Sequence, residues 1–146
     1  MSPRSIRTLL VDDSPRILKA LSQILSRDDR FEVVGSATDG CQAIRYASAL
    51  APELVLMGLR LSKLNGAQAA SYMKQSRNPP LVFMVDSEDS PTSRAMSESA
   101  GADDFVPISA KLEVGLRSRL RAWFSSKASL THKRQRASLK RQRSFN

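Results

Sequence analysis

The chain has 146 residues, of which 41% are hydrophobic and 25% are charged. This length suits one compact globular domain and leaves little for a second. The single cysteine, Cys41, excludes an internal disulfide, and no segment approaches the roughly 18 apolar residues of a membrane span. The first apolar run is too short for a signal peptide, so we expect a cytoplasmic protein.

The net charge of +9 is concentrated at the C-terminal end. Residues 127–146 contain seven lysines and arginines and no acidic residue, whereas residues 1–126 contain 16 basic and 14 acidic residues. The last segment also lacks the apolar face of a packed helix. We therefore predict a domain at 5–126 and a basic, disordered tail at 127–146.

The first half of the domain alternates apolar runs with amphipathic segments. The sequence predicts strands at 6–11, 31–37 and 53–57, and helices at 14–26 and 39–50. In the first helix, Ser14 is a suitable N-cap, Pro15 suits the first turn, and the apolar residues recur with helical spacing. The strand at 53–57 is almost continuously apolar, which indicates burial on both faces.

The second half continues the same alternation. It predicts a helix at 66–76, a strand at 81–85, a helix at 90–101, a strand at 103–107 and a final helix at 111–124. Five β-α units in strict alternation predict an α/β fold with parallel strands and helices on both faces. In such folds the functional crevice lies at the carboxyl ends of the strands. The candidate functional residues are therefore those that follow each strand.

Several motifs appear in a fixed order along residues 5–124. They are "LLVDDSP", "EVVGSATDGCQAI", "PELVLM" with "LRLSKLNG", "PPLVFMVDSED" and "AGADDFV". In this order and spacing the sequence resembles the receiver domain of two-component response regulators. The resemblance implies the flavodoxin-like (βα)5 fold, a doubly wound parallel sheet.

The resemblance also implies a five-part phosphorylation site, of which this chain matches one part. The acidic pair that holds Mg²⁺ corresponds to Asp12 and Asp13. The phosphoryl-accepting aspartate corresponds to Gly58, the hydroxyl residue to Asp86 with Ser87 behind it, the lysine to Ile108, and the switch aromatic to Phe105. Phosphoryl transfer needs an oxygen nucleophile, a cation and fixed donors to the phosphate oxygens. We therefore expect no ordinary phosphorylation of this chain.

Two interpretations of the remaining acidic residues stay open. In one, Asp86 substitutes for the lost ligand, and three carboxylates bind a divalent cation such as Mg²⁺ weakly. In the other, Asp86 is a solvated residue at a strand end, and the acidic pair is a remnant that helps to cap a helix. No lysine is predicted to oppose these carboxylates.

The sequence supports two classes of function. The first is a stand-alone, non-enzymatic receiver that docks on a histidine kinase, another receiver or an output protein. The resemblance implies that it does so through its fourth helix, fifth strand and fifth helix. The second is weak binding of nucleic acid or an anionic membrane by the tail, with the receiver as a scaffold. The tail residues concerned are Lys133, Arg134, Arg136, Lys140, Arg141 and Arg143. A copy without a function of its own is a third possibility.

Overall fold

The computed structural model describes residues 4–125. Five strands and five helices alternate along them, as the sequence predicts. The elements are β1 Ile6–Val11, α1 Pro15–Ser26, β2 Phe31–Ala37, α2 Gly40–Leu50, β3 Leu54–Gly58, α3 Gly66–Lys74, β4 Leu81–Asp86, α4 Pro91–Ser99, β5 Asp104–Pro107 and α5 Leu112–Trp123. The differences from the predicted bounds are small; for example, α3 ends at Lys74 and not at residue 76.

The five strands form one parallel sheet in the order β2-β1-β3-β4-β5. In its register Val11 lies opposite Met57, Gly58 opposite Val85, and Asp86 opposite Pro107. The carboxyl ends of β1, β3, β4 and β5 therefore meet at one edge of the sheet. This is the flavodoxin-like arrangement, and it confirms the predicted fold class.

The core of this sheet is apolar on both faces. One cluster joins alternate strand residues, such as Leu9, Met57 and Met84, to side chains of α2 and α3. Because side chains alternate along a strand, Leu10 and Leu56 point to the opposite face, and both are almost fully buried. Burial on two faces explains why β3 and β4 are continuously apolar in sequence.

Polar side chains cap the helices that follow the first four strands. Ser14 is the N-cap of α1, where its hydroxyl accepts a hydrogen bond from the Ile17 amide, and Pro15 occupies the first turn, as predicted. Asp39, Asn65 and Ser90 cap α2, α3 and α4 in the same manner. Each cap satisfies an N–H group that has no partner within its helix. These helix starts are thus determined locally, immediately after the strands.

The chain divides after Ile108 into two compact units, Met1–Ile108 and Ser109–Asn146. The first contains the whole sheet and helices α1 to α4. The described part of the second is built on α5, whose residues Leu112, Leu116 and Leu120 are buried. The predicted domain boundary at 126/127 lies outside the described residues. Within residues 4–125, no helix is long and apolar enough to span a membrane.

Candidate functional site

A small pocket lies at the carboxyl edge of the sheet. Its volume is about 180 Å³, and its lining includes Asp12, Asp13, Gly58, Arg60, Asp86 and Ile108. Four different strands thus contribute the residues at their ends, because the parallel topology brings these ends together. The structure therefore gathers all of the residues that the sequence predicted for this edge, with the exception of Phe105, and adds Arg60.

The acidic pair at the end of β1 has one buried and one exposed member. Asp12 is 7% exposed, and its Oδ1 accepts a hydrogen bond of 2.9 Å from the backbone N–H of Ser14, the N-cap of α1. Burial raises the pKa of the Asp12 carboxyl above its ordinary value, and the nearby Asp13 and Asp86 carboxylates add to this effect, while the Ser14 hydrogen bond opposes it. Asp13 is exposed. Asp12 thus contacts the N-cap residue, whereas the Ser14 hydroxyl itself caps α1.

Gly58 ends β3 in close contact with its neighbours. A Cβ atom placed on Gly58 would lie 2.7 Å from Asp12 Oδ2 and 3.3 Å from a methyl carbon of Leu61. The carboxylate of Asp12 therefore occupies the space into which a side chain at position 58 would extend. The start of α3 is equally close, because a Cβ on Gly66 would collide with the carbonyl oxygen of Gly58.

Asp86, at the end of β4, is buried and fully engaged. It is 4% exposed, which excludes the interpretation as a solvated residue. Ser93 Oγ, in the first turn of α4, donates a hydrogen bond of 2.9 Å to Asp86 Oδ2. On the other side, Arg60 Nε lies 3.4 Å from Asp86 Oδ1. Both carboxylate oxygens thus have partners within the same protein unit.

Arg60 is a pocket residue that the sequence interpretation missed. It follows Gly58 by two residues, and its guanidinium also contacts Glu88 and lies 3.2 Å from Ser93 Oγ. No lysine lines the pocket, but Arg60 supplies a positive charge that the sequence interpretation did not consider. One signal could have revealed it, since a basic residue in the loop after β3 enters the same edge as the strand-end carboxylates.

The end of β5 contributes an apolar wall. The Ile108 N–H donates a hydrogen bond of 2.7 Å to the Asp86 carbonyl oxygen, and Ile108 lines the pocket where the resemblance predicts a lysine. Ser87, the residue after Asp86, also lines the pocket. Ile108 therefore brings neither a charge nor a side-chain donor to this site.

Phe105 lies away from the pocket, under helix α4. It is 7% exposed, and the guanidinium carbon of Arg94 lies 4.9 Å from the centroid of its ring. The same guanidinium pairs with Asp89, with Arg94 Nε 2.6 Å from Asp89 Oδ1. Phe105 is therefore buried and in cation–π contact with Arg94.

The residues of the pocket do not fit a Mg²⁺ ion. Hard cations require several oxygen ligands, and Gly58 has no side chain to supply a carboxylate. The Asp86 carboxylate is already engaged by Arg60 and Ser93. Among residues 4–125, no group of three or more His, Cys, Asp or Glu side chains is arranged to hold a metal ion. The structure therefore does not support Asp86 as a substitute ligand.

A larger groove of about 880 Å³ lies between α3 and α4. It is lined by uncharged residues, among them Ala67, Ser71, Tyr72, Ala95 and Met96. Among the residues that line it, none is Asp, Glu, Lys, Arg, His or Cys. The tail residues predicted to contact polyanions, from Lys133 to Arg143, lie outside the described residues.

Comparison of the sequence with known protein families identifies the family of this chain. The model of the response regulator receiver domain matches residues 8–113. The chain belongs to this family. Among curated proteins, the receiver is 35% identical over 104 residues to a protein-glutamate methylesterase/protein-glutamine glutaminase of Nocardioides sp., and 39% identical over 101 residues to one of Myxococcus xanthus. These matches cover 70% and 68% of this chain but only 28% and 26% of the relatives, so the receiver spans less than a third of their length.

Solved structures agree with this assignment. The response regulator domain of CheB from Thermotoga maritima superimposes with a TM-score of 0.73 at 30% identity, over 82% of this chain and 96% of that domain. A CheY-like receiver domain protein from Methanospirillum hungatei gives a TM-score of 0.70 over 94% of this chain and 99% of that one. Its 21% identity supports the fold alone.

Proposed function

We propose that this receiver signals through protein–protein contact and is not phosphorylated at its own pocket. The observation that carries the proposal is the state of the three strand ends around that pocket. Gly58 offers no nucleophile, Asp86 is buried in an ion pair with Arg60, and Ile108 offers no donor. A phosphoryl group entering there would meet carboxylates, an apolar wall and an arginine that is already paired with Asp86, where phosphoryl transfer requires available cations and donors.

Several further features support this reading. Asp12 is buried next to Asp13 and Asp86, so the pocket already concentrates negative charge. Phe105, which the resemblance predicts as the switch aromatic, is buried under Arg94. A ligand shifts a protein between two conformations only if it binds one of them more tightly. Without such a ligand, the protein stays in its more stable conformation. The receiver would accordingly present one constant surface to its partner.

The partner class follows from the family. We propose that the partner is a histidine kinase, another receiver or an output protein, and that α4 and β5 take part in the contact. On α4, Arg94 is exposed and Met96 is 37% exposed, so this helix offers both charge and apolar surface. The match to the methylesterase relatives covers less than a third of their length, so the role proposed for the described residues is that of the receiver alone.

The test is incubation with a small-molecule phosphodonor and Mg²⁺, followed by intact mass measurement. The wild-type chain should show no added phosphate, whereas the triple variant Gly58→Asp, Asp86→Thr, Ile108→Lys should show a stoichiometric mass increase. Ile108→Lys alone is the matched control, because it adds the lysine without a nucleophile. A stoichiometric increase for the wild type would refute the proposal.

The basic tail supports a second candidate function, which is weak polyanion binding. The observation that favours it is that residues 127–146 carry seven positive charges and no acidic residue. Such a segment attracts phosphate backbones without sequence preference and loses affinity steeply with salt. Truncation of the tail separates this function from receiver signalling, since the two depend on different parts of the chain.

A further inference from the structure

Arg60 connects two loops that meet at the acidic pocket. It lies between β3 and α3, and its guanidinium contacts Asp86 at the end of β4, Glu88 in the next loop and Ser93 in α4. One side chain therefore holds the loop after β3 against the loop after β4. In sequence, Arg60 and its nearest partner in this network are 26 residues apart, so no local rule of loop structure requires the contact.

The contacts of Arg60 differ in their contribution to stability. The side chains of Arg60 and Glu88 are 55% and 59% exposed, and an ion pair between exposed groups contributes little. Asp86 is different, because only 4% of its side chain is exposed, and a buried carboxylate is costly unless each oxygen has a partner. Ser93 supplies a neutral donor for Oδ2, and Arg60 supplies the charge next to Oδ1.

The distribution of charge around the pocket also indicates a role for Arg60. Three of its lining residues are acidic, namely Asp12, Asp13 and Asp86. Of the residues that line it, Arg60 alone is basic, and Ile108 occupies the place of the family's lysine. Like charges gathered in a partly buried site raise each other's energy, and a cation relieves this repulsion. Here that cation belongs to the chain itself.

We propose that Arg60 is the internal counter-cation of this pocket. Its guanidinium neutralises carboxylate charge that an external cation would otherwise neutralise. The same contacts hold the loop after β3 against the loop after β4. A planar guanidinium suits this role, because it can contact two carboxylates and a hydroxyl at once, which an ammonium group does less well. This inference rests on the proposed function, since an acceptor at position 58 would create a different pocket.

Amide hydrogen exchange tests the loop contact directly. In Arg60→Gln, the amides of residues 60–65 and 87–90 should exchange about tenfold faster than in the wild type, because local opening loses the stabilising contact. The matched control is Lys63→Gln, which removes one positive charge from the same loop. Lys63 is 70% exposed and lies 3.6 Å from Asp39, away from the pocket. Unchanged exchange in Arg60→Gln, or an equal increase in Lys63→Gln, would overturn the inference.

Titration with Mn²⁺, followed by paramagnetic broadening of the pocket amides, tests the charge balance. The wild type and Arg60→Lys should show no broadening at millimolar metal, whereas Arg60→Gln should bind at least about tenfold more tightly than the wild type. Equal binding by wild type and Arg60→Gln would refute the role as counter-cation. The wild-type titration needs no variant, and tight Mn²⁺ binding by the wild type refutes the inference by itself.

These outcomes are distinguishable from failure of the proposed function. A phosphorylated wild-type chain would refute the proposed function in the mass measurement. A wild type that stays unphosphorylated, with loop exchange and metal binding insensitive to position 60, would refute the counter-cation alone.

Discussion

Replacing Gly58 with alanine measures how closely Asp12 packs against the end of β3. The backbone permits the change, because Gly58 does not have a positive φ. The added Cβ would lie 2.7 Å from Asp12 Oδ2, 3.2 Å from its Cγ and 3.3 Å from Leu61 Cδ2. At these distances the Asp12 carboxylate has to move, and its hydrogen bond from Ser14 is strained or lost.

The expected cost follows from these contacts. Loss of the Ser14 hydrogen bond costs about 1 kcal/mol, and overpacking adds about 1–3 kcal/mol. Replacing glycine restricts the unfolded chain and returns about 0.4–1 kcal/mol. We therefore expect Gly58→Ala to lower the free energy of unfolding by about 1–3.5 kcal/mol. In an Asp12→Ala background the collision is absent, and the same substitution should be neutral or slightly stabilising.

Urea denaturation of the four proteins of this double-mutant cycle gives the coupling between the two positions, expected at about 2–4 kcal/mol. Equal costs of Gly58→Ala with and without the Asp12 carboxylate would show that this carboxylate does not fill the space at position 58. The cycle thus tests the geometry of the pocket without any assumption about its ligand.

Three further predictions concern the rest of the chain. Lys74→Met should lower the free energy of unfolding by about 3 kcal/mol in urea denaturation, because Lys74 and Asp103 form a buried ion pair. The control Lys19→Met, at an exposed position of α1, should leave this free energy nearly unchanged. The hydrogen bond from the Gln42 N–H holds the pKa of Asp39 below its ordinary value of 3.8. The stability that ionised Asp39 contributes should therefore be present above pH 3.8 and be lost as the pH falls through the lowered value, so the stability difference from Asp39→Asn should vanish in acid. Removal of residues 127–146 should abolish salt-sensitive binding to duplex DNA in a gel-shift assay, and unchanged binding would exclude the tail.

The fold was predictable because its signals are local and repeated. Each strand is a short apolar run, and each of the first four helices begins at a side chain that caps it, such as Ser14 or Asp39. Strict alternation then determines parallel strands and places their carboxyl ends together. For the same reason the gathering of Asp12, Gly58, Asp86 and Ile108 could be predicted without coordinates.

The network around Arg60 could not be predicted in the same way. A long side chain in a loop can reach many positions, and its partner is determined by three-dimensional distance and not by sequence spacing. Burial of Asp86 could not be decided from sequence either, because the end of a strand can be either solvated or covered. Ser93 shows the difficulty well, since a residue in the first turn of a helix ordinarily serves the helix itself, but here its hydroxyl donates to Asp86.

The positions of Arg60 and Asp86 bear on the simplest change that would restore the acceptor, Gly58→Asp alone. The new carboxylate would enter a pocket of about 180 Å³ beside Asp12, Asp13 and Asp86, at a position that Asp12 Oδ2 already fills. Crowded carboxylates raise each other's pKa and make a poor nucleophile, and Arg60 is held by Asp86 and Glu88. We therefore expect no mass increase when Gly58→Asp is incubated with a phosphodonor and Mg²⁺. A stoichiometric increase from this single change would show that the pocket still accepts a phosphoryl group, and that Asp86 and Ile108 do not prevent it.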